Sequence, residues 1–248
     1  MLAQKALNMC INNFGKDSKE HANVLVTCYG GENKALEKAL TIVTKEKGET
    51  SRLNRLLRRG GGENSVLAAK ILAKMAWNNY QIQRESIKNY DGATEKAEKA
   101  IRVLSKNLGK DNFHLICPKT TQALIKQEKA RAESPGKKKE KLLSEAEKLQ
   151  REIVQMSTAA LGEFNLGTAA VMSNLGSTLQ VMKKNSEAEE LLLKALKIQT
   201  AINGPVDNSV AKSHNFLANL YKINMNELTK AEEHFLQYIK KLLRFKLF

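Results

Sequence analysis

Apolar residues recur every three or four positions along most of the chain, and glycines interrupt this pattern at nearly regular intervals. The pattern is typical of amphipathic helices, which bury one stripe of side chains. We interpret each glycine as the end of a helix in the left-handed conformation, and the residue seven positions later as the point where the next helix packs closely. The pairs at this spacing are Gly15/Ala22, Gly62/Ala69, Gly109/Ile116, Gly162/Ala169 and Gly204/Ala211.

These glycines lie 47, 47, 53 and 42 residues apart, a period typical of repeat proteins whose helical hairpins stack on one another. Each unit would contain a helix A, a turn, a helix B and a short link. The sequence therefore predicts an all-α protein, a right-handed α-solenoid with a period of 42 residues. The predicted helices are 2–13, 18–29, 33–45, 64–83, 92–107, 114–131, 138–161, 166–182, 186–201, 208–223 and 228–245.

A single domain, residues 1–248, is the expected organisation, and it begins within a partial first unit. We expect an insert at 43–61 and a linker at 132–141 between the two helices of unit four. The insert carries the Arg-rich stretch SRLNRLLRR, and the linker carries GKKKEK. Charge runs of this kind favour solvated surface over a dedicated site.

The chain carries 41 Lys and Arg against 26 Asp and Glu, a net charge of +15. This charge predicts attraction to acidic partners, whether nucleic acid, anionic lipid, microtubule tails or peptide carboxylates. Nucleic acid ranks last, because the chain has one Trp and five Tyr and no interleaved basic–aromatic motif. No apolar run approaches the length of a membrane span. Three widely separated cysteines indicate a reduced intracellular protein, and each is interpreted as a small buried hydrophobe.

The sequence contains none of the catalytic motifs that were sought. We find no nucleophile–base pair, no HExxH and no phosphate-cradling loop, so we expect no enzyme, cofactor or metal. The four histidines are far apart along the chain. His21 and His214 fall on A helices at different positions in the repeat, so these two are not expected to build one site.

A family resemblance rests on Leu175-Gly176, Ala188, Ala195 and Leu217-Ala218 with Tyr221, which fit the tetratricopeptide signature. The 42-residue period resembles the kinesin-light-chain type of that repeat. Longer segments, among them NSEAEELLLKALKIQ and VAKSHNFLANLYKINMNELTKAEEHFLQYI, are similar to one group of such proteins. The similarity runs from residue 3 to about residue 240 and is dense after Ala160. The insert and a shortened second unit depart from it, so we expect a fragment, an isoform or an imperfect gene model.

The resemblance implies a substrate receptor of a cullin-2 RING ubiquitin ligase that reads C-terminal degrons with Arg three residues before a final Gly. It also implies binding of the amyloid precursor protein tail and association with microtubules during intracellular transport. Docking to the ligase belongs to N-terminal parts that lie outside this chain. The alternative is a kinesin-light-chain-like cargo or microtubule adaptor. Either function implies a cytoplasmic protein, with nuclear or cytoskeletal association as further options.

In such solenoids the A helices line the concave face, where an extended peptide would lie. Asn offers a donor and an acceptor to a peptide backbone, Lys offers a cation to a terminal carboxylate, and aromatic rings offer an apolar anchor. The alternative is that the polar residues are merely solvated and that Trp77 belongs to the core. The candidate residues are Lys70, Trp77, Tyr80, Ser173, Ser177, Lys212, Asn215, Asn219 and Lys222.

Overall fold

The computed structural model describes residues 2–15, 18–29, 31–44, 63–85, 89–205 and 207–245. Within these ranges the chain forms α-helices and no strand, as the sequence predicts. The predicted insert lies, from residue 45 onward, outside the described residues. The helices are α1 (Leu2–Phe14), α2 (Lys19–Tyr29), α3 (Asn33–Thr44), α4 (Glu63–Glu85), α5 (Asp91–Leu108), α6 (Ile116–Ala132), α7 (Lys137–Leu161), α8 (Leu166–Val181), α9 (Asn185–Asn203), α10 (Asn208–Asn219) and α11 (Leu228–Phe245).

Two shorter elements complete the described chain. A 3₁₀ turn, Phe113–Leu115, precedes α6, and a π-helical turn, Leu220–Met225, extends α10. The chain divides into two compact units, Met1–Ile125 and Lys126–Phe248, and the boundary falls within α6. The single domain over residues 1–248 therefore stays a prediction.

In the first unit, helices that follow one another along the chain pack against each other. Helix α1 packs on α2, α2 on α3, α3 on α4, and α4 on α5. Its aromatic core combines Tyr80 on α4, Tyr90 before α5, and Leu124 on α6, with Trp77 packed against it. The alanines of the repeat pattern behave as predicted here, because Ala22 and Ala69 are fully buried.

The second unit has the same arrangement and a larger core. Helices α7 to α11 pack in chain order, and α8 also touches α10, the next A helix. Leu175, Leu192, Leu217 and Leu220 form the centre of one cluster and are 0–3% exposed. Stacking of successive hairpins thus buries the apolar stripes that the periodic pattern predicted.

The link glycines correct one detail of the prediction. Gly109, Gly162 and Gly204 have positive φ angles of 88°, 83° and 80°, but their ψ angles of 162°, 162° and 167° are extended. This is a region open essentially to glycine alone and differs from the left-handed helical conformation that we predicted. Each glycine N–H still closes the last helical turn, with N···O distances of 3.1, 3.0 and 3.0 Å.

The linker in unit four is shorter than predicted. Helix α7 begins at Lys137, with Gly136 before it and Glu140 in its first turn, so the connection spans residues 133–136 rather than 132–141. The basic run of the sequence therefore belongs to the helix, because Lys and Glu both have good helix propensity and Glu140 complements the helix N-terminus.

Gln150 on α7 provides a stability prediction. Its side chain is 2% exposed, and neither amide atom has a hydrogen-bond partner in the described part of the chain. A buried polar group without a partner is destabilising, so Gln150→Met, which keeps the shape, should raise the free energy of unfolding by about 1–3 kcal/mol. Urea unfolding followed by circular dichroism measures this change. A lower stability than that of the original chain would contradict the prediction.

A four-residue ion cluster ties α7 to the start of α9. Arg151 contacts Glu187 at 2.5 Å and Glu147 at 2.8 Å, and Lys184 reaches Glu147 at 2.7 Å. Burial alone would raise the pKa of Glu147, but hydrogen bonds from Lys184 and Arg151 outweigh it and lower that pKa. The hydrogen bond from Arg151 likewise lowers the pKa of Glu187.

This cluster predicts a pH dependence of stability. A carboxyl whose pKa is lowered by folding stabilises the fold at pH values above its ordinary pKa of 4.5, and that contribution is lost as the pH falls from there through the lowered pKa of the folded state. Glu147→Gln should therefore lower stability by about 1–2 kcal/mol at pH 7 and flatten the loss of stability between about pH 5 and pH 3. Thermal unfolding across this range tests it, and an unchanged slope would contradict the assignment.

Candidate functional site

Three of the predicted binding residues lie together on one face of α10, which we call the α10 face: Lys212, Asn215 and Asn219. Lys212 is exposed and the two asparagines are half-buried. The Asn219 side-chain amide donates to the Asn215 backbone carbonyl at 2.8 Å and to its Oδ1 at 3.3 Å. The side-chain N–H groups of Asn215 and the Oδ1 of Asn219 make no hydrogen bond within the described chain. The face therefore presents a cation, a donor and an acceptor.

Lys222 departs from this row. The sequence predicted one regular helix over 208–223, but α10 passes into the π turn after Asn219. A π turn takes an extra residue, which rotates the side chains after it relative to those before it. The Lys222 ammonium lies 6.0 Å from the centre of the Phe235 ring on α11. Lys222 is exposed, and it does not belong to the α10 face.

Ser173 and Ser177 are buried and bond to neighbouring helices, which corrects their assignment as ligand contacts. Ser177 accepts hydrogen bonds from Gln127 at 3.0 Å and from Arg131 at 3.1 Å. Ser173 lies 3.4 Å from Ser213 on α10, and both hydroxyls contact the side chain of Gln199. These serines join successive helices because a small hydroxyl satisfies a polar neighbour at close approach.

Lys70, Trp77 and Tyr80 belong to the first unit, whereas the α10 face belongs to the second. Tyr80 is 1% exposed and is a core residue, which excludes it as a surface anchor. Trp77 is half-buried, and its ring centre lies 5.8 Å from that of Tyr80. This agrees with the alternative that Trp77 belongs to the core. Lys70 is half-buried, and burial lowers its pKa. Burial also lowers the pKa of His114, and the charge of Lys70 adds to this effect.

Two histidines that are far apart in the sequence come together in the structure. The Nδ1 atoms of His214 on α10 and His234 on α11 are 2.8 Å apart. The Tyr221 ring stacks on His234 at 5.5 Å with an interplanar angle of 12°. The prediction that His21 and His214 build no common site did not extend to this pair. The two residues are 20 positions apart on the two helices of a hairpin, and the periodicity of the sequence does not indicate that they are in contact.

The histidine pair opens onto a cleft of about 300 Å³ between α10 and α11, lined also by Glu233, Leu236, Gln237 and Lys240. Within the described ranges, no group of three or more His, Cys, Asp or Glu residues could hold a metal ion. None of the helices described is long and apolar enough to cross a membrane.

Cys10 and Cys117 are free cysteines, and Cys10 is buried. The Cys117 thiol lies 3.9 Å from the Ala73 carbonyl oxygen, and burial raises the pKa of this thiol. Both therefore behave as the small core residues that the sequence indicated. The side chain of Cys28 lies outside the described residues.

Comparison with known proteins supports the repeat assignment. The family model of the tetratricopeptide repeat matches residues 138–200 and 168–242. Amyloid protein-binding protein 2 of Rattus norvegicus and that of Mus musculus are each 36% identical to this chain over 124 residues. The match covers 50% of this chain and 21% of each relative, so the matched half of the chain corresponds to about a fifth of their length. The resemblance inferred from the sequence segments is confirmed over that half.

Solved structures show the same fold at low sequence identity. BtubC (BKLC) from P. vanneervenii aligns with a TM-score of 0.62 and 17% identity, covering 100% of this chain and 94% of that one. A putative kinesin light chain from Podospora anserina aligns with a TM-score of 0.51 and 17% identity, covering 98% and 93%. The predicted class, an α-solenoid of tetratricopeptide-like hairpins, is confirmed. The part of the chain that matches the tetratricopeptide repeat model runs from residue 138 to residue 242.

Proposed function

We propose that this chain is a non-catalytic scaffold that binds the C-terminal peptide of a client protein on the α10 face. The observation that carries the proposal is the arrangement of Lys212, Asn215 and Asn219 on one helix. The bond from Asn219 to Asn215 holds both amides in position before a ligand arrives, which reduces the entropy lost on binding. Tetratricopeptide repeats are interaction modules, so the family assignment supports the same class of function.

The client is expected to be a protein with a specific C-terminal tail. The curated relatives are named for binding amyloid protein, and the sequence resemblance implies receptors that pass clients to a cullin-2 RING ubiquitin ligase. We propose that this chain binds a tail of the same kind, either a degron with Arg three residues before a final Gly or the tail of the amyloid precursor protein. The net charge of +15 supports attraction to a terminal carboxylate.

Binding of a synthetic peptide tests this proposal. The probe ends in Gly with a free carboxyl group and has Arg three residues earlier; its partner peptide is identical but amidated. Lys212→Ala should weaken binding of the free acid by about tenfold, because a charge-assisted hydrogen bond contributes about 1.5 kcal/mol. Amidation should reduce the effect of this substitution to nearly nothing. Fluorescence anisotropy with a labelled peptide measures all four affinities.

The matched control is Lys197→Ala, which removes an exposed lysine from α9 and the same unit of charge. If Lys197→Ala weakens binding as much as Lys212→Ala, the attraction comes from net charge and the α10 face carries no site. Equal binding of the acid and the amide would contradict reading of the carboxylate.

A second candidate follows from the same charge. A cargo or microtubule adaptor would use its positive surface against the acidic tails of tubulin, and co-sedimentation at physiological ionic strength tests this. Binding that disappears at about 0.15 M salt reflects nonspecific attraction, because exposed charges are screened within about 8 Å there.

A further inference from the structure

The His214–His234 contact has the geometry of a hydrogen bond along the line joining the two rings. The ring centres are 5.1 Å apart and the Nδ1 atoms 2.8 Å apart, a difference that the two ring radii account for. Both nitrogens therefore lie on the line between the ring centres, and each points at the other. A chelated metal ion would need the two nitrogens to converge on a third point, so this arrangement fits a shared proton instead.

The contact is sensitive to pH because it depends on how many protons the two rings carry. An N–H···N bond requires one nitrogen that carries hydrogen and one with a lone pair. A neutral pair satisfies the requirement, and so does a pair that has taken up one proton. When both imidazoles are charged, both Nδ1 atoms are donors, so the bond is lost and two like charges face each other.

The π turn, α9 and the start of α11 supply groups near the pair. Tyr221 stacks on His234 and donates its hydroxyl to Glu189 at 2.6 Å. Burial raises the pKa of Tyr221, with the Glu189 hydrogen bond adding to it, so the ring stays neutral. The Lys230 ammonium lies 5.1 Å from the same ring and pairs with Glu227 at 2.6 Å.

Further along α11, Glu233 and Lys240 line the cleft together with both histidines. The charged side chains on these elements therefore include the carboxylates of Glu189, Glu227 and Glu233 and the ammonium groups of Lys230 and Lys240. Two imidazolium rings that point their Nδ1 atoms at each other would repel as like charges.

We propose that the His214–His234 pair is a proton-sensitive latch that holds α11 against α10 near neutral pH and weakens when the pair binds its second proton. Isolated imidazoles titrate at about pH 6.5, so the unfolded chain takes up both protons below that value while the folded pair resists the second. The unfolded or opened state then binds more protons, and the stability of this hairpin falls as the pH falls.

The latch would regulate the α10 face, because His214 belongs to the same helix as Lys212 and Asn215 and directly precedes Asn215 in the sequence. This consequence rests on the proposed function: a peptide bound there at neutral pH would be released in a mildly acidic environment. The latch itself rests on the histidine geometry alone.

Hydrogen exchange and histidine NMR on the 248-residue chain test the proposal together. The ring signals of His214 and His234 should show two titration midpoints that are clearly separated. Between pH 7.5 and pH 5.0, protection of α11 amides, corrected for intrinsic exchange, should fall by about tenfold for each pH unit between the midpoints. In His234→Asn, whose amide does not titrate, this fall should disappear. His214→Asn serves as the second variant should the first fold poorly.

The control is His114→Asn, which removes a histidine of the other unit and should leave the pH dependence of α11 intact. Independent titration of both histidines near pH 6.5, with α11 protection unaffected by pH, would overturn the latch. If the latch behaves as expected but no C-terminal peptide binds at any pH, the proposed function fails and the latch stands.

Discussion

Replacing Leu192 with alanine should lower the free energy of unfolding by about 2–5 kcal/mol, the range for a large-to-small change in a packed core. Leu192 is fully buried at the crossing of α8 and α9, within the cluster that also holds Leu175 and Leu217. Alanine would remove its packing atoms and leave a cavity that the surrounding helices can close only in part. Urea unfolding monitored by circular dichroism measures the loss.

The neighbouring residue provides a matched control. Leu193 stands on the same helix and is 42% exposed, so Leu193→Ala should change stability by no more than about 0.5 kcal/mol. Equal effects of the two substitutions would show that the two helices do not pack as described.

Gly176→Val should destabilise the second unit by about 3 kcal/mol or more, at the upper end of the cost of overpacking. A side-chain Cβ at this position would lie 2.8 Å from Leu192 Cγ and 2.9 Å from Leu192 Cδ2. The Ala188 carbonyl oxygen would lie 3.4 Å away, so α8 and α9 would have to separate. The tight crossing is the physical basis of the Leu-Gly pair in the repeat, because only glycine allows these two helices to approach so closely.

Gly92→Val is the control for this substitution. A Cβ there would meet only the flexible end of Lys96 at 3.8 Å, and the expected change in stability is within about 0.5 kcal/mol. A double-mutant cycle adds a second test. Since Leu192→Ala opens space beside residue 176, Gly176→Ala combined with it should cost less than the sum of the single changes, by at least about 0.5 kcal/mol. Strict additivity would contradict the close contact.

Much of the fold could be predicted from the sequence because glycine and alanine recur at equivalent positions of the repeat. Gly162 and Gly204 end helices in a conformation that other residues avoid, while Ala169 and Ala211 are fully buried where hairpins cross. Because of these local constraints, most predicted helix ends lie within one or two residues of the observed ones. The π turn after Asn219 could not be predicted, since nothing in the 3.6-residue pattern marks an inserted residue.

The candidate site was only partly predictable, since a polar residue on an A helix can face solvent or a stacked neighbour. Lys212 is exposed, whereas Ser177 is covered by Gln127 and Arg131 of the preceding A helix. Periodicity places both on one face and carries no information about the side chains opposite. The His214–His234 contact escaped prediction for the same reason, because it depends on the register of two helices and not on either alone.

The most direct test of peptide binding is an NMR titration of the isotope-labelled chain with the peptide that ends in free Gly and has Arg three residues earlier. The account predicts that the signals of Lys212, Asn215 and Asn219 shift and saturate with the free acid, while the amidated peptide leaves them nearly unchanged. Saturable binding of the free acid that leaves these three residues unmoved, or equal shifts with the amide, would contradict it.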